Sequence, residues 1–542
     1  MTRPLILGNN LSAGGTLLHT YEYMVAEQIR ELIAKAVGVE CDFAVERPNQ
    51  AEHGDYASNV ALVAGKLAGE NPRVLAERLQ ETLLQSDLFD EVDVAGPGFL
   101  NFKVRPRVWQ ETLSSIIAAG DRYGYADSTG KKIQVEFISA NPTGPLTLAN
   151  GRGGFSGDVL ARVLERAGHT VEREYYINDA GNQIVGLGKT LLGEETVYAG
   201  DYIDALREQV NVKGSADEVG AAAAAVLMEG ITASLKGAGI AFDRWFSERR
   251  ELHEAGEVAK TLKLLETAGV TFKADGALWL RSTEFGDDKD RVLRKADGEL
   301  TYLAADLAYH FDKLAVRTYD LAINIWGADH HGYVARMQAG VESLRKAQPF
   351  SGELKIIITQ LVRLVSGGKE VKMSKRAGTY VALDDLLEQI PADVARFFFV
   401  MKSFDTHMDF DLDLAKEQSQ KNPVYYLQYA HARVCSILRK AGTADTSAAS
   451  LDLLVDPAEV ALIRHLDEFP QVIARTADDF GVHRVAHYAL DVADTLHTFY
   501  ERCQVITDDA ELTAARLQLV RGVGITLRAL GETLGVAMPE SM

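Results

Sequence analysis

One stretch of the chain constrains its fold more than any other. Ile133–Ile138 is an apolar run that predicts a strand, and a loop rich in glycine and proline follows from Asn141 to Gly154. Phe155–Ala167 then predicts a helix, with Val159, Leu160, Val163 and Leu164 as its apolar stripe, and Thr170–Ile177 predicts a second strand. A helical crossover of this length joins parallel strands. The unit is the building block of an α/β, Rossmann-like, doubly wound parallel sheet.

Two apolar runs far downstream, Leu321–Trp326 and Ile356–Leu361, suit strands covered on both faces and extend the same sheet. Residues from about 185 to 295 break the alternation and read as an insertion. They hold an alanine-rich helix around Ala221–Leu227 and Asp-Gly turns at Asp275-Gly276 and Asp297-Gly298, which predict hairpins. Upstream, helical patterns at Tyr21–Val37 and Val74–Leu88 and a strand at Leu100–Val104 predict an α+β domain. Beyond about Phe404 the pattern is helical to the end, as in Tyr425–Lys440. The expected domains are 1–118, 119–403 and 404–542, several cores being what a chain of 542 residues calls for.

Charge and cysteine content limit the partners. A formal net charge of −20 argues against a non-specific nucleic-acid binder but leaves room for a specific one with a local basic surface. Cys41, Cys435 and Cys503 are far apart, which excludes a disulfide framework and a cysteine zinc site and fits the reducing cytoplasm. No transmembrane helix and no signal peptide are expected.

Two segments carry candidate chemistry. In Asn141–Gly154 a strand-to-helix turn offers free backbone N–H groups and a helix dipole to a phosphate. A tight turn without ligand is the plain alternative. A dinucleotide fingerprint is the rival: Gly151 and Gly153 fit it, Ser156 breaks it, and Glu172 or Glu174 lies where a ribose-binding acid belongs. In Gly367–Gly378, glycines flank Lys369, Lys372, Ser374, Lys375 and Arg376, a composition able to close on a polyphosphate or to be a solvated basic turn. His330 and His331 are adjacent, so they do not converge on a metal, and no protein metal site is expected.

Taken together, Thr147-Leu-Ala-Asn150 and Lys372-Met-Ser-Lys375 resemble, in order and spacing, the two signatures of class I aminoacyl-tRNA synthetases. Val135–Pro145, Tyr176–Gln183, Trp326–Tyr333, Asn422–Arg433, Gly54–Asn59 and Leu534–Glu540 resemble arginyl-tRNA synthetases in particular. The resemblance runs from about residue 20 to the terminus. It implies an N-terminal domain that contacts the tRNA elbow, a Rossmann-like catalytic domain and a helical bundle that reads the anticodon. It implies ATP with Mg²⁺, L-arginine and tRNA(Arg) as ligands, and a monomer.

By the same resemblance, Thr147, Asn150, Lys372, Ser374 and Lys375 are catalytic. Pro142, Gly144, Leu148, Ala149, Gly151, Gly327, Asp329, His330 and Met373 surround ATP. Glu136, Ser139, Asn141, Tyr302 and Asp306 surround arginine, whose ever-charged guanidinium asks for carboxylates. Tyr302 and Asp306 are four apart and would share one helix face. Asn59, Tyr425, Tyr429 and Arg433 touch tRNA, with Tyr426 and His431 as further candidates for stacking or core packing. The turn departs from the family's H-x-G-H pattern: both histidines are replaced, and Ala149 stands where adenine packs on a glycine. Two alternatives therefore stay open, a catalytically impaired paralogue that binds tRNA and a nicotinamide-dependent oxidoreductase.

Overall fold

The first expected strand forms as β1 (Lys132–Glu136) and the second as β2 (Thr170–Ile177), joined by the helix α1 (Leu148–Arg166). The computed structural model describes residues 24–48, 50–371, 381–442 and 449–542, so Lys372, Met373, Ser374 and Lys375 lie outside the described residues. The chain divides into two units. One comprises Met1–Thr129, Thr443–Pro470 and Phe499–Ile525; the other comprises Gly130–Gly442, Gln471–Thr498 and Thr526–Met542.

The second unit is built on a five-stranded sheet. After β3 (Arg244–Ser247), β4 (Leu321–Gly327) and β5 (Glu353–Thr359) complete it in the order β5-β4-β1-β2-β3. Every neighbouring pair is parallel. The chain builds outward from β1 through β2 to β3, then returns to the other side of β1 with β4. The order therefore reverses between β1 and β4, and a crevice opens at their carboxyl ends. β3 lies within 185–295, so the region read as an insertion also supplies the sheet's edge.

The glycine-rich loop is shorter than the sequence suggests, because α1 begins at Leu148 rather than Phe155. Thr147 caps it: its hydroxyl accepts from the Asn150 N–H at 3.4 Å, and the Asn150 Oδ1 accepts from the Thr147 N–H at 2.8 Å. The glycines serve packing. A Cβ at Gly151 would come 2.7 Å from Leu383, and one at Gly157 would come 2.5 Å from Phe137. The missing side chains let α1 lie against its neighbours, and the dinucleotide reading loses the glycine it most needs.

The hairpin expected at Asp275-Gly276 is present, with antiparallel Thr271–Ala274 and Ala277–Leu280 and both turn residues at positive φ. Ala216–Gly237 contains the alanine run. By length and composition it is apolar enough to cross a membrane. Its small residues dock on helix Asn182–Leu192, where a Cβ at Gly220 would fall 2.0 Å from the Ile184 carbonyl oxygen. Within this unit helices α2 (Tyr302–Phe311) and α3 (Pro423–Ala441) carry residues discussed below.

In the first unit, Val45–Glu46, Tyr56–Ser58, Phe99–Val104 and Phe89–Ala95 form an antiparallel sheet in that order. Helix Val25–Val37 has no side-chain cap of its own. The Asp467 carboxylate supplies one, accepting from the Val25 N–H at 3.3 Å. Burial lifts Asp467 to about 7, against the lowering effect of that bond.

Candidate functional site

The crevice at the reversal of strand order holds a cavity of about 750 Å³. Its floor begins where β1 ends. Ile138 and Ser139 both have positive φ, 68° and 40°, a strained conformation for side-chain-bearing residues. This bend turns the Ser139 hydroxyl back, so that it donates to Glu136 Oε1 at 3.0 Å and accepts from the Tyr176 N–H at 3.1 Å. Asn141, next along the loop, is exposed to the cavity.

One wall is the first turn of α1. Thr147, Ala149, Asn150 and Gly153 line the cavity, and so does Gly144. Pro142, Leu148 and Gly151 do not. Leu148 is buried in the core and Gly151 faces Leu383, so these two act through packing rather than by facing a ligand. The Thr147 hydroxyl donates to Asn150 Oδ1 at 2.8 Å, which commits its proton. The Asn150 amide nitrogen has no partner among the described residues and is the donor that this turn can offer. The opposite wall is the end of β4 and the turn after it, with Gly327, Asp329 and His330 on the lining.

Behind Thr147 sits a feature that the sequence reading did not single out. Arg152 is 1% exposed. Among the described residues its guanidinium donates to backbone carbonyls only: Gln360 at 2.8 Å, Leu361 at 3.5 Å, and Ser403 and Thr406 at 2.7 Å each. It thereby ties the start of α1 to the chain that leaves β5, and Gln360 and Leu361 line the cavity.

The third wall is α2. Tyr302 and Asp306 share a face and line the cavity, Tyr302 at the mouth with 52% exposure. Asp306 opens on the cavity but is surrounded by protein. Desolvation is the main cause that raises its carboxyl to about 7. The charges of Glu248 and Glu136 add to the rise; the Tyr333 hydroxyl, donating to Asp306 Oδ2 at 2.6 Å, and Lys313 oppose it. Glu136 differs from the free carboxylate expected for a guanidinium site: its Oε2 accepts from the buried Lys313 ammonium at 2.5 Å.

Glu248, at the carboxyl end of β3, was also missed. It is hydrogen-bonded to the Tyr176 hydroxyl, and its charge raises Tyr302 as well as Asp306, in Tyr302 after desolvation as the main cause. The signal was an acid directly after the run Trp245-Phe246-Ser247, hidden because that run was assigned to an insertion.

The candidate tRNA contacts divide. Tyr425, Tyr429 and Arg433 recur every fourth residue on α3, with Tyr429 exposed. His431 belongs to the core, its Nδ1 bonded to the Pro539 carbonyl at 3.0 Å. In the first unit, Asn59 Oδ1 accepts from the Ala44 N–H at 2.8 Å, so its carbonyl holds the backbone rather than standing free. Among the described residues no group of three or more His, Cys, Asp or Glu could hold a metal ion.

Family models match over much of the chain. That for the arginyl tRNA synthetase N terminal domain matches residues 23–104, that for the class I (R) tRNA synthetase catalytic domain residues 202–397, and that for the DALR anticodon binding domain residues 427–542. The chain is 43% identical to an arginine–tRNA ligase of Carboxydothermus hydrogenoformans, covering 96% of this chain and 98% of the relative. It is 44% identical to one from Nitratidesulfovibrio vulgaris strain Miyazaki F, covering 92% and 95%. Among solved structures, the Thermus thermophilus arginyl-tRNA synthetase shares the fold, with a TM-score of 0.79 at 22% identity, covering 96% of this chain and 100% of that one.

Proposed function

The chain belongs to the arginyl-tRNA synthetase family of class I, and we infer that the cavity between β1 and β4 is where it joins arginine to ATP. The protein is an arginine–tRNA ligase. In the first step the arginine carboxylate attacks the α-phosphate of ATP and pyrophosphate leaves. In the second a hydroxyl of the tRNA 3′-terminal ribose attacks the arginyl carbonyl and AMP leaves. Neither step needs a protein nucleophile, so positioning and charge stabilisation carry the catalysis.

The observation that carries the site assignment is Asp306, a desolvated carboxylate on the cavity wall whose one hydrogen bond among the described residues comes from the neutral Tyr333 hydroxyl. A guanidinium would supply the missing charge through a bidentate pair. Tyr302 covers the mouth, and Asn141 with Ser139 stands at the end of β1 for the amino-acid backbone. ATP lies along the first turn of α1 and the Gly327–His330 turn, with the Asn150 amide aimed at phosphate oxygens and the helix dipole behind it. Mg²⁺ would come with the nucleotide and would offset the charge of its phosphates. Lys372, Ser374, Lys375 and Met373 complete the nucleotide contacts. Tyr425, Tyr429 and Arg433 offer aromatic faces and charge to unpaired tRNA bases, and Asn59 belongs to the N-terminal tRNA contact. The enzyme works as a cytoplasmic monomer, in domains 1–118, 119–403 and 404–542.

Charging of bulk tRNA with each amino acid tests this reading. Arginine alone should be transferred, at the expense of ATP. A chain that binds tRNA but charges nothing would be the impaired paralogue instead.

A further inference from the structure

Beneath the cavity lies a polar chain that the reaction as described does not use. Lys313 follows α2 and is fully shut from solvent. Its ammonium donates to Glu136 Oε2 at 2.5 Å and to Asn324 Oδ1 at 3.0 Å, and it lies 4.0 Å from the centre of the Tyr309 ring. The Asn324 amide nitrogen is 3.0 Å from His310 Nε2, and His310 Nδ1 is 2.7 Å from the Asp306 carbonyl oxygen. Burial lowers His310 to about 3, so it is neutral, with Nδ1 donating and Nε2 accepting. Glu136 and Asn324 are register partners on β1 and β4.

We propose that Lys313 and Glu136 form a closed, neutral pair that sets the charge count of the arginine pocket, with Lys313 as a positioning residue and Asp306 as the carboxylate that answers the guanidinium. The proposal rests on the arginine reading given above.

Three observations carry it. Both carboxylate oxygens of Glu136 are engaged, one by Lys313 and one by Ser139. Among the described residues, Asp306 receives only the neutral Tyr333 hydroxyl. Among the described residues Lys313 bonds no other carboxylate: Glu174, the next acid that shifts it, is taken by Arg317 and by the Tyr309 hydroxyl, and its charge reaches Asp306 without a hydrogen bond. A guanidinium that displaced Lys313 from Glu136 would strand a buried ammonium, which costs more than the exchange returns. Of Glu136 and Asp306, the arriving cation therefore meets only Asp306 open. The Asn324–His310 link runs from the pair to the backbone of Asp306, so the pair also holds α2 at a fixed height above the sheet.

The test is a cycle on the purified enzyme with arginine, ATP and tRNA. Glu136→Gln strands the Lys313 charge beneath the arginine pocket and should raise the KM for arginine about 10- to 100-fold, leaving the KM for ATP in place. Glu136→Gln with Lys313→Met removes both charges and should bring the arginine KM back to within about three-fold of the wild type. It should also keep the preference for arginine over citrulline. A double variant no better than Glu136→Gln would mean that Glu136 itself binds the substrate and would overturn the pair, as would a wild-type KM in Glu136→Gln. If Glu136→Gln does not fold, the double variant alone decides, since an arginine KM raised about tenfold or more in it contradicts the proposal. A wild-type enzyme that does not charge arginine would sink the underlying reading, not the pair.

Discussion

Asp306 makes arginine binding sensitive to pH in a range where arginine itself does not titrate. With the free carboxyl at about 7 and the guanidinium requiring the ionised form, the apparent KM scales as one plus the ratio of protonated to ionised Asp306. That factor is about 11 at pH 6, about 2 at pH 7 and about 1.1 at pH 8. The arginine KM should therefore fall about tenfold between pH 6 and pH 8, measured by tRNA charging at saturating ATP and tRNA. Asp306→Asn should flatten this profile and raise the KM at pH 8 by about 10²- to 10³-fold, because a buried cation loses its counter-charge. Tyr333→Phe should shift the midpoint upward, since its hydroxyl donates to the ionised form at 2.6 Å. A wild-type KM that is level from pH 6 to pH 8, or an Asp306→Asn enzyme that keeps the slope, refutes the reasoning.

Other outcomes follow from the same geometry. Asn150→Ala should lower kcat for adenylate formation about 10²-fold, as expected for one aimed donor. Thr147→Ala should mostly lower stability, by about 1 kcal/mol for a lost helix cap, with the smaller effect on kcat; the reverse ranking would return the donor to Thr147. Asp467 holds its proton in the folded state well above the pH at which the unfolded chain releases it. Stability from this group is thus lost as pH rises, by about 1.4 kcal/mol between pH 6 and pH 8, and Asp467→Asn should remove that share of the change in a urea titration. Tyr429→Ala should raise the KM for tRNA about tenfold with no change for ATP, as loss of a stacking surface predicts. The family resemblance further implies activation only on bound tRNA, so ATP–pyrophosphate exchange should require added tRNA, and strong exchange without it would contradict that expectation.

The sheet was readable because its strands alternate or run apolar over whole elements. Thr170–Ile177 is the strand β2, and Leu321–Trp326 is extended by one glycine. The start of α1 was not readable. Gly151, Gly153, Gly154 and Gly157 have the composition of a loop, and only the nearness of Leu383, Ile138 and Phe137 reveals why a helix needs them. β3 is four residues long, too short for a period to emerge. At the site, Tyr302 and Asp306 were singled out by the family resemblance, and their spacing put them on one helix face, as α2 has them. The Glu136–Lys313 pair spans 177 positions, and no local pattern announces a partner at that range. Lys372–Lys375 was legible as a motif and lies outside the described residues.

The Arg152 clamp bears on how this enzyme can drift. Its guanidinium grips main-chain oxygens alone, so it asks nothing of the side chains at Leu361 or Thr406. As far as this clamp is concerned, those positions can vary wherever the chain path is kept, whereas position 152 has almost no alternative. Lysine carries a single ammonium that cannot span carbonyls from two separate segments in one planar fork. In a library selected for growth, tolerance should thus be lopsided across one contact: narrow on the side that donates, broad on the sides that accept. A segment beside the nucleotide could diverge in sequence for a long time while its course through space stays the same.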